Sequence, residues 1–316
     1  MIKKALLFSA FLLVAVVCLV LVLAYGYRPA EPARQSGFLL DHGYQTVDTP
    51  DFQFNSLQMG TGHPVVLIHG AGTWSYSFRH TITALSGSGA IYSFDMPGHG
   101  YTRVKKDLPR YDLPTMSRAI EAYLDASNLQ SVSLVGHSFG GGWALYFALQ
   151  HPERVEKLVL MAPRALDVPY KWEWQLMKYP VFGELFSKWL RREDVHRGLQ
   201  DAFYNPDAIT DEMVDNLFLP LQRTENRRAQ YRLVRDSDWS QTQSEMASLE
   251  VPTWVLWGDS DQYLPASQLE TFRNRIPHVK TRIFRQCGHL LHVECAERIN
   301  PVLKDILFNG TGPTAR

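Results

Sequence analysis

Cysteine is scarce in this chain of 316 residues, which holds three. Only Cys287 and Cys295 lie in its body. Two cysteines cannot build a disulfide framework for a domain of that size, nor a zinc set, and they read as two free thiols, with a single bridge in an oxidising compartment as the alternative. A surplus of either charge is also missing. Lys+Arg and Asp+Glu both total 32, for a formal net charge of zero. Without a basic surplus the composition argues against nucleic acid as the main partner. Hydrophobic residues are not scarce: at 45% of the chain they suffice for a substantial core.

Charge is absent altogether between Ala5 and Ala24, a run of twenty residues behind Lys3 and Lys4. A bilayer-spanning helix needs about twenty apolar residues, whereas the apolar part of a cleaved signal peptide spans about 7–15. Tyr25 and Tyr27 follow the run and suit a membrane interface. A retained signal-anchor is the expectation, with a cleaved signal as its competitor. Cys18 reads as a small apolar residue of that helix, since Val17 before it is bulkier than a lipid-attachment site takes. The lysines ahead of the run keep residues 1–4 in the cytoplasm and put the body outside it, in periplasm, exterior or lumen.

The stretch Ser131–Gly142, SVSLVGHSFGGG, organises the rest. Val132-Ser133-Leu134-Val135 is a short run of strand character, and Trp143, Ala144, Phe147 and Ala148 recur at helical spacing. Between them Gly136-His137-Ser138-Phe139-Gly140 fits G-x-S-x-G. A strand that turns sharply into a helix lifts one hydroxyl above the sheet. The turn strains the serine backbone and needs small residues two before and two after it. The free N–H groups of the helix start then face a developing oxyanion. Alone, the pentapeptide equally describes a Gly-rich helix entry that binds nothing.

Tyr44–Val47 and Phe52–Leu57 read as a hairpin. Apolar runs at 64–68, 91–95, 158–163, 251–258 and 280–284 alternate with helical patterns at 74–85, 113–128, 266–275 and 296–308. That alternation predicts a parallel, doubly wound α/β sheet. Residues 164–249 break it. They hold no clean strand and are rich in aromatics, among them Tyr170, Trp172, Trp174, Tyr179, Phe182, Phe186 and Trp189. These read first as cap packing, and in the sharper reading as an acyl pocket or a membrane contact. Arg191–Asp194 and Arg223–Arg228 read as solvated helix faces.

Four further motifs make the chain resemble the α/β-hydrolase family. His69-Gly70-Ala71-Gly72 is similar to its oxyanion loop, and Asp95-Met96-Pro97-Gly98-His99-Gly100 to its tight turn. Gly258-Asp259-Ser260-Asp261 matches its G-x-x-D, and Gly288-His289 its Gly-His before the last helix. The resemblance implies a mostly parallel eight-stranded sheet with helices on both faces and a helical cap insertion. It implies Ser138 as nucleophile, Asp261 as acid, His289 as base, and the N–H groups of Ala71 and Phe139 as oxyanion hole, with no cofactor and no metal. Asp259 and His292 remain competitors for acid and base. His69, Asp95 and His99 read as structural. The expected division is a cytoplasmic start at 1–4, an anchor at 5–24, a linker at 25–42, a core at 43–163 and 250–309, a cap at 164–249 and a tail at 310–316.

The expected activity is hydrolysis of carboxylic esters, lipid-like or of medium chain length, in the manner of a monoacylglycerol lipase. A serine at the elbow speaks against the family's dehalogenases and epoxide hydrolases, which place aspartate there. Its carbon–carbon bond hydrolases are similar at the elbow but carry a longer G-x-G-P-G-type loop, and Gly70-Ala71-Gly72-Thr73 lacks the proline. A cofactor-free perhydrolase, an acyltransferase and a catalytically silent binding protein stay open. The partners implied are a small-molecule ester and the membrane.

Overall fold

The computed structural model describes residues 2–31, 35–106, 108–170 and 172–309. The tail at 310–316, with Gly310 and Thr311 of the Asn309-Gly310-Thr311 sequon, lies outside the described residues, as do 32–34 of the expected linker.

Nine strands form one sheet: β1 (Gln45–Asp48), β2 (Phe52–Met59), β3 (Pro64–Ile68), β4 (Ala90–Phe94), β5 (Arg103–Val104), β6 (Val132–His137), β7 (Val155–Met161), β8 (Thr253–Gly258) and β9 (Lys280–Phe284). Their order is β1-β2-β4-β3-β6-β7-β8-β9, with β5 beside β2 off that path. Pairings of β2 with β1, β4 and β5 are antiparallel. From β4 through β3, β6, β7 and β8 to β9 every pairing is parallel. The expected eight strands are those of the continuous order. The ninth, β5, has two residues, too few for any alternation to show in sequence.

Burial explains the strand composition. Val65, Val66, Leu67 and Ile68 of β3 are all fully buried, because helices cover both faces and no alternation is needed. The edge strand β9 instead exposes Lys280 and Arg282, charges that discourage pairing with another chain. Asp112 starts the helix Leu113–Ala126 by accepting from the Thr115 N–H, a side-chain cap.

Between β7 and β8 the chain forms helices Trp172–Leu176, Pro180–Lys188, Arg192–Ala202, Asp211–Leu221, Thr224–Asp236 and Ser240–Glu245, with no strand among the described residues. Ala202 accepts from the N–H of His289, and Gly198 from the Tyr263 hydroxyl. These helices thus cover the carboxyl ends of β8 and β9.

Residues 2–26 form a continuous helical segment, Ile2–Leu21 and then Val22–Gly26, long and apolar enough to cross a membrane, with mean hydropathy 3.2 over an 18-residue window. Its end is not loose. Lys188 Nζ donates to the carbonyls of Leu23 and Ala24, a cation at a helix C-terminus. Arg227 donates to the Pro29 carbonyl at 3.2 Å, and Glu31 Oε1 accepts from the Thr224 N–H at 2.8 Å. A short helix, Gly37–Asp41, sets Phe38 edge-on to Tyr76 at 4.9 Å. The reading of 25–42 as plain linker is therefore corrected. Its described residues lie on the cap and core, through contacts to partners far away in sequence that no periodic signal announces.

Candidate active site

The elbow at the end of β6 explains its own sequence. Ser138 sits at φ 53° and ψ −122°, a left-handed backbone that L-residues avoid unless the surroundings hold them there. Its N–H donates to Met161 O at 3.0 Å, and its carbonyl accepts from Arg164 N at 2.8 Å. A Cβ on Gly140 would stand 2.3 Å from the carbonyl oxygens of Ile68 and His69, and one on Gly136 2.5 Å from Gly140 O. Both positions therefore require glycine.

Three side chains from three strand ends meet here. His289 Nε2 lies 3.0 Å from Ser138 Oγ, and His289 Nδ1 lies 2.7 Å from Asp261 Oδ2. The other oxygen of Asp261 accepts from the N–H groups of Tyr263 and Leu264 at 2.9 and 2.8 Å. An ionised carboxylate can only accept, so Nδ1 carries the ring proton and Nε2 presents a lone pair to the serine hydroxyl. That is the arrangement in which a histidine can take the serine proton as the oxygen attacks.

The competitors are placed elsewhere. Asp259 Oδ1 accepts from Gln286 N and Ser260 Oγ, which ties it to its own turn. His292 is fully buried against Phe78 and His137, with ring centroids at 4.7 and 4.4 Å. Burial lowers its pKa to about 3. His69 accepts from Met96 N at 2.9 Å through Nε2, and burial lowers it to about 4. Buried Asp95 accepts from Ser75 N and Oγ, Asn55 Nδ2 and Tyr101 N. His99 is buried too, its Nδ1 3.1 Å from Pro97 O. All three serve the turn, as read from the sequence.

A cavity of about 760 Å³ opens from Ser138 into the cap. Ala71, Phe139 and His289 line it on the core side, and Trp174, Met177, Phe186, Trp189 and Leu190 on the cap side. Phe139 is the first residue of its helix, where an N–H has no partner within the helix. Among the described residues, no group of three or more His, Cys, Asp or Glu side chains is placed to hold a metal ion.

Two expectations fail near the site. Cys287 and Cys295 are joined in a disulfide, the alternative to the two free thiols expected. They lie eight positions apart, and the short helix Leu291–Glu294 folds back to bring their Cα atoms within 6.2 Å. The bridge brackets His289. The Arg223–Arg228 cluster is also not a solvated face. Asn226 is fully buried, and donates to the carbonyls of Gly100 and Pro220. Arg227 is only 7% exposed and, with Gln230, lines the cavity. Sequence reading missed both residues, although Arg227, Tyr231 and Val234 share one face of a helix at i, i+4 and i+7.

Comparison with known proteins places this geometry. A family model described as alpha/beta hydrolase fold matches residues 63–295. A 2-hydroxymuconate semialdehyde hydrolase of Pseudomonas putida is 29% identical over 285 residues, covering 85% of this chain and 92% of its own. Among solved structures, a meta-cleavage product hydrolase from Pseudomonas fluorescens superposes with a TM-score of 0.72 at 25% identity, over 84% of this chain and 97% of that one. A membrane phospholipase A, 23% identical with a TM-score of 0.72, shares the fold over 97% of this chain and 98% of its own. The expected likeness to monoacylglycerol lipases is thus corrected: the curated relative is named a 2-hydroxymuconate semialdehyde hydrolase and the first of these structures a meta-cleavage product hydrolase.

Proposed function

The chain belongs to the α/β-hydrolase fold family, and we propose that it is a serine hydrolase of carboxylic esters with long apolar acyl chains, held at a membrane by its N-terminal helix. The observation that carries this reading is the cavity. It starts at the Ser138 hydroxyl and reaches Phe186 and Trp189, half-exposed aromatics at the helix Pro180–Lys188 that packs on the end of the N-terminal segment. An acyl chain leaving a bilayer beside that segment meets an apolar path to the nucleophile.

In this reading Ser138 Oγ bonds to the ester carbonyl carbon while its proton passes to His289 Nε2. Asp261 holds the imidazole and stabilises its charged form. The N–H groups of Ala71 and Phe139 bind the oxyanion, each such donor contributing about 10²–10³ in rate. Collapse breaks the bond to the alcohol, which leaves with the proton from His289. Water, deprotonated by His289, then attacks the acyl-enzyme, releasing the carboxylic acid and restoring Ser138.

Lys3 and Lys4 ahead of the apolar segment support a body outside the cytoplasm. The Cys287–Cys295 bridge supports the same, since disulfides persist in oxidising compartments.

The test is a p-nitrophenyl ester series on the full chain in detergent. Each added methylene that finds apolar wall is worth about 0.8 kcal/mol, roughly fourfold in kcat/KM. A rise with chain length, abolished in Ser138→Ala, is expected. A sharp preference for acetyl esters overturns the long-chain reading.

A second reading, carbon–carbon bond hydrolysis on the same triad, is supported by the names of the curated relatives at 26–29% identity. Against it stands the short Gly70–Thr73 loop without proline. Turnover of a 2-hydroxy-6-oxo dienoate with no ester hydrolysis decides for this second reading.

A further inference from the structure

The cavity wall carries a cation that no carboxylate among the described residues bonds directly. Arg227 and Gln230 lie one turn apart on the helix Thr224–Asp236, and both line the cavity. The Arg227 guanidinium donates through Nη2 to Pro29 O at 3.2 Å and Thr224 Oγ1 at 3.3 Å. Both acceptors are neutral, and among the described residues no carboxylate lies within ion-pair distance of it.

Neighbouring arginines are treated differently. Arg191, also at the cavity, is paired with Asp194 at 3.0 Å; Arg228 is paired with Glu184 at 3.3 Å and Arg235 with Asp236 at 2.7 Å. The charge of Glu31 reaches Arg227 from beyond ion-pair distance, and burying a guanidinium without a bonded counter-charge is unfavourable. A chain that keeps one in the wall of a largely apolar cavity has left a place for an anion. Gln230 fixes where that place is. Its Oε1 stands 3.8 Å from the position of a Cβ on Gly72, at the loop that carries Ala71. Arg227 precedes Gln230 by three residues, about one turn, on the same helix.

We propose that Arg227 forms an oxyanion-binding subsite of the cavity, so that the preferred substrate is an anionic amphiphile: an acyl ester whose alcohol part bears a phosphate or a carboxylate. This rests on the ester reading above and names its substrate class. The planar fork of arginine suits both groups and accepts either in a two-pronged contact. The acyl chain takes the apolar side of the cavity, toward Phe186 and Trp189, and the charged group takes Arg227.

The test reads occupancy without requiring turnover. Full-length protein in neutral detergent is labelled at Ser138 with a fluorophosphonate, and protection by non-hydrolysable competitors is measured. These are dodecyl phosphate, 3-(dodecyloxy)propanoate, neutral 1-O-dodecylglycerol and inorganic phosphate alone. Dodecyl phosphate or the carboxylate protects wild type at about tenfold or more lower concentration than dodecylglycerol, as a charged hydrogen bond predicts. In Arg227→Gln the anionic and neutral competitors converge, and in Arg227→Lys part of the preference returns. Each variant's unprotected labelling rate is its own reference. Equal protection by charged and neutral competitors in wild type overturns the subsite, as does a preference that survives Arg227→Gln. Protection by inorganic phosphate as effective as by dodecyl phosphate overturns the amphiphile. Labelling of Ser138 without hydrolysis of any ester defeats the ester reading alone, and the competitor ratios still decide the subsite. If Arg227→Gln does not label, wild type and Arg227→Lys decide it.

Discussion

The residue before Ser138 holds the backbone of His289: His137 Nε2 donates to the carbonyl oxygen of His289 at 2.9 Å. His137 is buried, and burial, followed by the charges of His292 and His289, lowers its pKa well below the ordinary value. It is a neutral donor at any working pH, and so a fixed strut between the elbow and the His289 loop. His137→Phe keeps the ring and removes the donor. It is expected to lower kcat about tenfold with KM little changed, the equivalent of one ordinary hydrogen bond. His137→Gln, which can still donate, should recover part of the loss. Steady-state kinetics on both variants checks this; a KM effect alone would mean the strut does not reach the chemistry.

Asp261→Asn leaves the shape of the triad intact but allows the wrong imidazole tautomer toward Ser138. The loss expected in kcat is about 10⁴, as for serine triads generally. Asp259→Asn, one turn away in an independent bond set, should stay within about threefold of wild type on kcat. Circular dichroism on both variants separates catalytic loss from unfolding.

Four buried histidines set the acid limit of the fold. Burial lowers His69 to about 4, and His99 and His292 to about 3, with His137 also well lowered. Unfolded, each takes a proton near pH 6.5. Above about pH 6.5 neither state binds that proton and these groups leave stability level. Between about pH 6.5 and 4 the unfolded chain binds more protons, so stability falls as pH falls, by about 1.4 kcal/mol per pH unit for each histidine. Asp95 is raised by burial and works in the opposite sense, offsetting part of this near the carboxylate range. Scanning calorimetry should show a midpoint flat above pH 7 and dropping toward pH 4. His292→Phe, at a site with no hydrogen-bond partner among the described residues, should make that drop shallower.

Reduction should loosen the His289 loop. A bridge closing so short a loop is worth about 2–3 kcal/mol. Cys287→Ser with Cys295→Ser is expected to lower thermal stability by that order and to reduce activity more than Cys18→Ser does. A thiol titration of the unfolded chain should find one reactive group before reduction, Cys18, and three after. Three beforehand would remove the bridge.

Local chemistry made much of this readable in advance. The spacing of Gly136, Ser138 and Gly140 is dictated by the atoms a Cβ would strike. The central strands β3, β6 and β8 read as mostly apolar runs because the core covers both faces. What escaped reading depends on distant partners. Cys287 meets Cys295 only because a short helix turns the chain back between them. Arg227 reads as surface charge until the cap folds over Ser138. Helix Gly37–Asp41 has five residues and is held by Phe38 against Tyr76, a contact across the chain that no periodicity announces.

Lys188, Arg227 and Thr224 each grip the stretch 23–31. The catalytic body is consequently not a bead on a string. In the membrane-held reading proposed above, its bearing relative to the bilayer normal is set by the angle at which the N-terminal helix leaves the cap, so that replacing this stretch by a floppy spacer would preserve address and abolish aim.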